Sequence, residues 1–243
     1  GLEAGPLLEG LFVTIRVSIW TTVIALFLGL FMGLMRLSRA LFWRLVSGSY
    51  VQMVRNLPPL VLVLFAYYLV FRFINLQTSL TPALQAWARG LEGPARTCAV
   101  VLFGRPQYLG RFLCAVVTLG LYEGAYVTEI VRAGVEAIPR GQFEAAHALG
   151  LSRLQELRHV ILPQALRNVL PALTGQFISA IKASAIVSLI AVPELTFKGD
   201  EVAGTLRLGM EMWITVAVMY LALTLSCSLV LHALEKRLTR HRA

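Results

Sequence analysis

Between Arg16 and Arg36 the chain carries no charged residue, and this run from Val17 to Met35 is one of five apolar stretches. A helix needs about 20 apolar residues to cross a hydrocarbon core of ~30 Å, and each of the five meets that length. The last, Met212 to Leu234, is equally free of charge, and a second, Asn56 to Phe71, lies between Arg55 and Arg72 and extends back toward Tyr50. The third, Leu109 to Ala133, contains Glu123 and Glu129, and the fourth, Ala165 to Val192, contains Pro171 and Lys182. The pattern predicts an all-α integral membrane protein, one domain over 1–243, with spans at about 11–36, 46–72, 109–134, 163–192 and 209–234. Two connections stand out: a polar, helix-prone segment at about 140–162 and a long connection at about 73–108.

Composition agrees with that class. Hydrophobic residues make up 57% and charged residues 14% of the 243 positions, too apolar for a soluble domain of this length. The net charge of +9 comes from basic clusters between apolar runs, without the aromatic-interleaved basic patch that binds nucleic acid. Cys98, Cys114 and Cys227 are scattered, with no CxxC and no histidine spaced to join them, so they specify neither a metal site nor a disulfide framework. The sequence opens at Gly1 without a basic, cleavable leader, so the first span is expected to serve for insertion.

Arg36, Arg39 and Arg44 follow the first span, five arginines from Arg132 to Arg167 surround the polar segment, and Lys236, Arg237, Arg240 and Arg242 end the chain. With an odd number of spans these regions share one face. The positive-inside rule makes it cytoplasmic, with the N-terminus outside and the C-terminus inside. The connection 73–108 departs from this balance, carrying Arg89, Arg96 and Arg105 against Glu92. Its turn signals at Pro82, Gly93-Pro94 and Gly104-Arg105-Pro106 leave room for a short helix over Ala83 to Leu91 with Leu84, Trp87 and Leu91 on one side. That helix reads either as an interfacial helix or as a contact for an extracytoplasmic partner.

The polar segment reads EAAHALGLSRLQELRHVILP from Glu144 to Pro163. Glu144 to Leu149 are mostly good helix formers, Gly150 ends or bends the helix through positive φ, and Ser152 is placed to cap a second short helix. Two short helices at an angle make a compact knob. By spacing alone, an ordinary amphipathic loop on the membrane surface fits as well.

The order Glu144-Ala145-Ala146, Gly150, Ile161-Leu162-Pro163 resembles the EAA loop of binding-protein-dependent ABC importers. Four longer blocks, in the right order, resemble the permease subunits of polar amino-acid importers. They are TIRVSIWTTVIALFLGLFMGLMRLS, YVQMVRNLPPLVLVLFAYY, LGLYEGAYVTEIVRAGVEAIPRGQFEAAHALGLS and VILPQALRNVLPALTGQFISAIKASAIVSLIAVPEL. The connection 73–108 is longer than in that family, and Ala183-Ser184-Ala185 carries fewer polar groups than relatives often show.

The resemblance implies a multi-pass subunit of the bacterial cytoplasmic (inner) membrane, with a cytoplasmic coupling helix between spans three and four that separate ABC ATPase subunits grip. Glu144, Ala145, Ala146 and Gly150 would form the docking core, with Leu149 and Leu151 as apolar anchors. It further implies a second permease subunit, identical or not, an extracytoplasmic solute-binding protein, a polar amino acid as cargo, surrounding membrane lipid, and alternating access. ATP and Mg would be bound by the partner ATPase, with no cofactor in this chain. The alternatives are the same architecture importing another small solute, and an ATP-independent membrane carrier.

No Gly-x-x-x-x-Gly-Lys-Ser/Thr occurs, so the chain has no phosphate-cradling P-loop, and no Gly-x-Ser-x-Gly, HExxH or paired-Asp arrangement points to an enzyme. Charged groups inside spans cost about 2.5 to 3.5 kcal/mol at the centre and usually face a cavity or a partner. Glu123, Glu129 and Lys182 are the candidates. Helical spacing puts Leu119, Tyr122, Tyr126 and Glu129 on one face with Glu123 beside it. Glu123 and Tyr126, with Ser179, Lys182 and Ser184, form the candidate substrate pathway; an ion pair between Glu123 and Lys182, and a Glu129 that snorkels with Arg132, are the structural alternatives. Arg55, Asn56 and Pro58-Pro59 open the second span as a rigid cap or a gate.

Overall fold

The computed structural model describes residues 4–73 and 76–240, and among them it is helical without strands. Helices α1 (Ala4–Arg36), α6 (Leu109–Glu136), α9 (Leu162–Ala183) and α11 (Gly209–Arg240) carry the long apolar runs. Between α1 and α6 lie α2 (Leu41–Arg55), α3 (Pro59–Phe65), α4 (Leu76–Gly90) and α5 (Gly93–Phe103). Helices α7 (Arg140–Ala148) and α8 (Arg153–Glu156) separate α6 from α9, and α10 (Leu195–Leu206) precedes α11. Among the described residues four helical stretches are long and apolar enough to cross a membrane, and the bent pair α2–α3 counts as a fifth when taken as one span.

That pair covers the span expected over 46–72, and the Pro58-Pro59 opening read from the sequence is a sharp bend within it. The chain turns by 102° between Arg55 and Pro59. Pro59 pushes Pro58 out of the helical region, to φ −59 and ψ 135, and neither proline has an N–H to carry the helix across. Beyond Phe65 the helix widens to π geometry over Ala66–Phe73.

The connection 73–108 differs as well. One helix was expected after Pro82; instead α4 runs through Pro82 and a second helix, α5, follows. Gly93 turns the chain at φ +58, and Pro94, without an N–H to leave orphaned, opens α5. The free carbonyls at the other end of α5 are covered by α1: Arg16 Nε donates to Val101 O at 2.8 Å and the Trp20 indole N–H to Leu102 O at 2.9 Å. Trp20 also stacks on Phe103, with ring centroids 5.2 Å apart.

The polar segment, too, is differently bounded. Its second half is already the fourth span's helix, because α8 passes through a π turn at Leu157–Ile161 into α9. The Leu162 N–H reaches back five residues to Leu157 O, and this wider turn accommodates Pro163 where an α-turn would clash. Pro171 lies inside α9 without ending it.

At the centre α1 packs parallel to α6, with residue numbers rising together from Ile24 beside Gly120 to Gly33 beside Val131. Small residues let the backbones approach: a Cβ on Gly29 would stand 2.4 Å from Val127 Cγ1, and one on Gly33 would stand 2.7 Å from Val131 Cγ1. Around this pair the buried core gathers Val17, Val63, Phe112, Ala115, Leu119, Val187 and Ile190 toward one end of the molecule, and Ala25, Val127, Val131 and Val169 toward the other.

A buried carboxylate fastens the periphery. Glu194, in the Val-Pro-Glu-Leu turn before α10, accepts hydrogen bonds from Tyr220 Oη at 2.6 Å, the Phe197 N–H at 2.9 Å and Thr14 Oγ1 at 3.3 Å. Thr14 Oγ1 in turn accepts the Leu195 N–H at 3.1 Å. One side chain thus ties α1, α10 and α11 together, and all its bonds are internal, as a low-dielectric surrounding demands.

The α1–α6 contact generates a stability prediction. Gly29→Leu overpacks it and lowers the melting temperature of the detergent-purified chain, by a free energy of about 1 to 3 kcal/mol. Gly204→Ala, in α10 where a Cβ meets nothing within 4 Å, leaves the melting temperature unchanged or raises it.

A surface knob and an intramembrane polar hollow

Helix α7 ends in a Schellman turn that shapes the knob. Gly150, at φ +69, donates to His147 O at 3.0 Å, and Leu151 N–H donates to Ala146 O at 3.2 Å. Only a residue tolerant of positive φ closes this turn without strain. At the start of α8, the Gln155 side chain accepts both the Ser152 N–H and the Ser152 hydroxyl, each at 2.9 Å. Ile138 and Phe143 pack with Ile161 and Ala165, which seats α7 on the base of α9. Gln164 adds a side-chain bond to Gln142 at 3.1 Å.

The geometry sorts the residues singled out in this segment. Glu144, Ala145 and Gly150 are exposed and Leu151 is half-buried. Leu149 is 78% exposed, and Leu154, which the sequence reading passed over, is 74% exposed. Ala146 is 2% exposed and faces the chain itself, so it does not offer its small side chain to an external groove. Glu156 turns inward beneath His147, whose Nδ1 stands 3.7 Å from its carboxylate. Glu144, Ala145, Gly150, Leu149 and Leu154 therefore lie on the outer surface of α7–α8, where the two leucines are the most exposed apolar side chains. Burying each would stabilise an association by about 1.5 to 3 kcal/mol.

Within the membrane-spanning region a hollow of about 390 Å³ lies between α6 and α9, with Arg55 at its edge. Tyr126, Glu129, Asn168 and Gln176 give it polar groups, and Ile130, Ala133 and Ala172 give it apolar wall. The guanidinium of Arg55 sits over the Tyr126 ring, 4.9 Å from its centroid, and Tyr126 Oη is 3.0 Å from Tyr122 Oη. The Glu129 carboxylate is held by Arg132 at 2.8 Å and approached by Arg36 at 3.6 Å.

Glu123 lies behind this lining, 1% exposed, and its partner is the side-chain amide of Gln176. Among the described residues its second oxygen, Oε1, has no hydrogen-bond partner. The suggested ion pair between Glu123 and Lys182 is absent among the described residues, and Lys182 is exposed. Ser184, just past the end of α9, is buried and donates to Ile181 O at 2.7 Å, back into that helix. Ser179 is half-buried, and neither it, Lys182 nor Ser184 lines the hollow. Of the five pathway candidates the structure brings Tyr126 to the hollow and Glu123 to Gln176 behind it. Arg55, Asn168 and Gln176 were missed as lining groups, although Asn168, Ala172 and Gln176 recur at four-residue spacing on one helical stripe.

The family described as binding-protein-dependent transport system inner membrane component matches residues 25–240. The glutamine transport system permease protein of Escherichia coli K12 is 35% identical, over 96% of this chain and 92% of its own length. The L-cystine transport system permease protein of Bacillus subtilis strain 168 is 32% identical, over 98% and 89%. Among solved structures, an amino acid ABC transporter with histidines aligns with a TM-score of 0.76 at 32% identity, covering 96% of this chain and 94% of that one. The MetNI methionine ABC transporter shares the fold, with a TM-score of 0.68 at 20% identity.

The inward-facing Ala146 separates fold from surface at the knob. Ala146→Trp overpacks it and lowers the melting temperature of the purified chain, whereas Leu149→Ser, at a site in water, leaves it within about 0.5 kcal/mol of the parent's stability.

Proposed function

The chain belongs to the family of binding-protein-dependent transport system inner membrane components, and on that footing we propose that it is the permease subunit of an ATP-driven importer for polar amino acids. Such a subunit receives mechanical work from ATPases in separate chains and moves a solute delivered by a binding protein on the other side. The reading places two permease subunits together, with the N-terminus outside, the C-terminus in the cytoplasm, and the α7–α8 knob on the cytoplasmic face. The closeness of Arg36 to the Glu129–Arg132 pair supports that orientation, since it puts the end of α1 and the base of α6 at one level.

One observation carries the mechanism: knob and hollow are built on the same two helices. Helix α6 runs into α7 across three residues, and α8 runs into α9 through a single π turn. Force on Glu144, Leu149 and Leu154 is therefore delivered to the helices that carry Tyr126, Glu129, Asn168 and Gln176. As the ATPases close and draw two knobs together, α6 and α9 tilt and the hollow changes the side on which it opens.

The lining suits a zwitterion. Arg55 offers a fork of N–H donors to an α-carboxylate, Glu129 offers a carboxylate to an α-ammonium, and Asn168 and Gln176 supply amides for a polar side chain. Glu123, with one oxygen on Gln176, fixes which way that amide points. In this assignment Glu123 and Tyr126 belong to the substrate pathway, while Ser179 and Lys182 near the end of α9, and Ser184 just past it, lie outside the hollow.

Uptake into vesicles holding the reconstituted complex tests both halves. Leu149→Asp with Leu154→Asp abolishes co-purification of the ATPase and uptake together. Arg55→Gln leaves the complex assembled but lowers uptake by about tenfold to a hundredfold, as losing a charged hydrogen bond worth 1.5 to 3 kcal/mol requires. Uptake of an amino acid at the parent rate by the Arg55 variant would remove the hollow from the pathway.

A further inference from the structure

A second, larger hollow of about 600 Å³ lies between the first half of α1 and the end of α5. Arg16 and Arg36 are 20 residues apart on one helix, which is ~30 Å, the thickness of the hydrocarbon core. Because α1 and α6 run parallel, Arg36 at the end of α1 lies toward the α7–α8 knob and Arg16 marks the opposite boundary of the bilayer. Trp20, one turn inside, sits at the depth of an aromatic belt.

The charge around this hollow is unbalanced. Arg16, Arg105 and Lys198 line it together with a single carboxylate, Glu9. Arg105 pairs with Glu9 at 2.9 Å, and Lys198 pairs with Glu201 outside the lining. Among the described residues no carboxylate lies within ion-pair reach of Arg16, whose Nε alone is engaged, on Val101 O. Its other N–H groups are free for a bidentate acceptor. Below the cations the wall is apolar and open, with Phe12, Ile19 and Val101 all exposed.

We propose that this hollow is a binding site for an anionic phospholipid of the leaflet remote from the knob. The phosphate bridges Arg16 and Lys198, and an acyl chain lies along Phe12 and Ile19 under the roof made by α5. The cations set the preference for a negative headgroup, and the apolar wall at the bilayer boundary sets the preference for a lipid over a soluble anion.

The test is native mass spectrometry of the full chain, purified in detergent and exchanged with phosphatidylglycerol or phosphatidylcholine. The parent retains phosphatidylglycerol at least about tenfold better, the scale expected of two cations near one headgroup. Arg16→Gln and Lys198→Glu each bring the ratio close to one, while Arg96→Gln, on α5 but outside the hollow, leaves it unchanged. Lys198 takes no part in capping α5, so its variant reads headgroup recognition even where Arg16→Gln disturbs the α5 anchor. Equal retention of the two lipids by the parent, or an undiminished ratio in Lys198→Glu, overturns the assignment.

Discussion

The parallel contact of α1 with α6 is the constraint on which the rest of the molecule depends. In a bilayer, lipid tails solvate apolar side chains as well as protein does, so helices associate through close packing and internal polar bonds. Gly29 and Gly33 against Val127 and Val131 provide that closeness. Once the two axes are fixed, Arg36 meets Glu129, the Ser47 hydroxyl on α2 reaches Met32 O at 2.8 Å, and α9 packs through Val169 against the same valines.

Polar groups are then placed where the packing can satisfy them. Glu194 collects three donors and uses them to hold α1, α10 and α11, whereas Glu123 is given one amide and keeps an oxygen unpartnered. Both carboxylates are buried, but a fully bonded one stabilises a fixed arrangement and an underbonded one retains capacity for a further partner. In the proposed reading, the contrast separates Glu194 as a structural tie from Glu123 as a pathway group more sharply than burial does. Arg16 and Trp20 follow the same logic at the bilayer boundary, where their donors cover the open end of α5 and leave guanidinium N–H groups over.

Function follows from continuity of the chain. A knob joined to two spanning helices by three residues on one side and a π turn on the other has little slack, so a push at its surface reaches the polar hollow with small loss. Pro171 within α9 and the Pro58-Pro59 break before α3 are the places where a backbone hydrogen bond is already missing and bending is least resisted. They lie on the helix that lines the hollow and beside the arginine at its edge.

Much of this was legible in the sequence by itself. Uninterrupted apolar runs of span length determine the all-α membrane fold, because a barrel strand is about half as long and alternates apolar with polar, and the order of Glu144-Ala145-Ala146, Gly150 and Pro163 within long matching blocks determines the family. Gly150 at positive φ was readable from residue type alone. Other features belonged to the tertiary structure, since they depend on which side of a helix meets which neighbour. Helical spacing put Glu123 near a polar face but could not select Gln176 over Lys182 as its partner, because that choice is set by the rotation of α9 against α6. The inward turn of Ala146, the exposure of Leu154, and the helices through Pro82 and α5 likewise rest on contacts between segments distant in sequence. A local pattern reports that a face is polar or small; only packing decides whether that face looks at solvent, at lipid or at the chain itself.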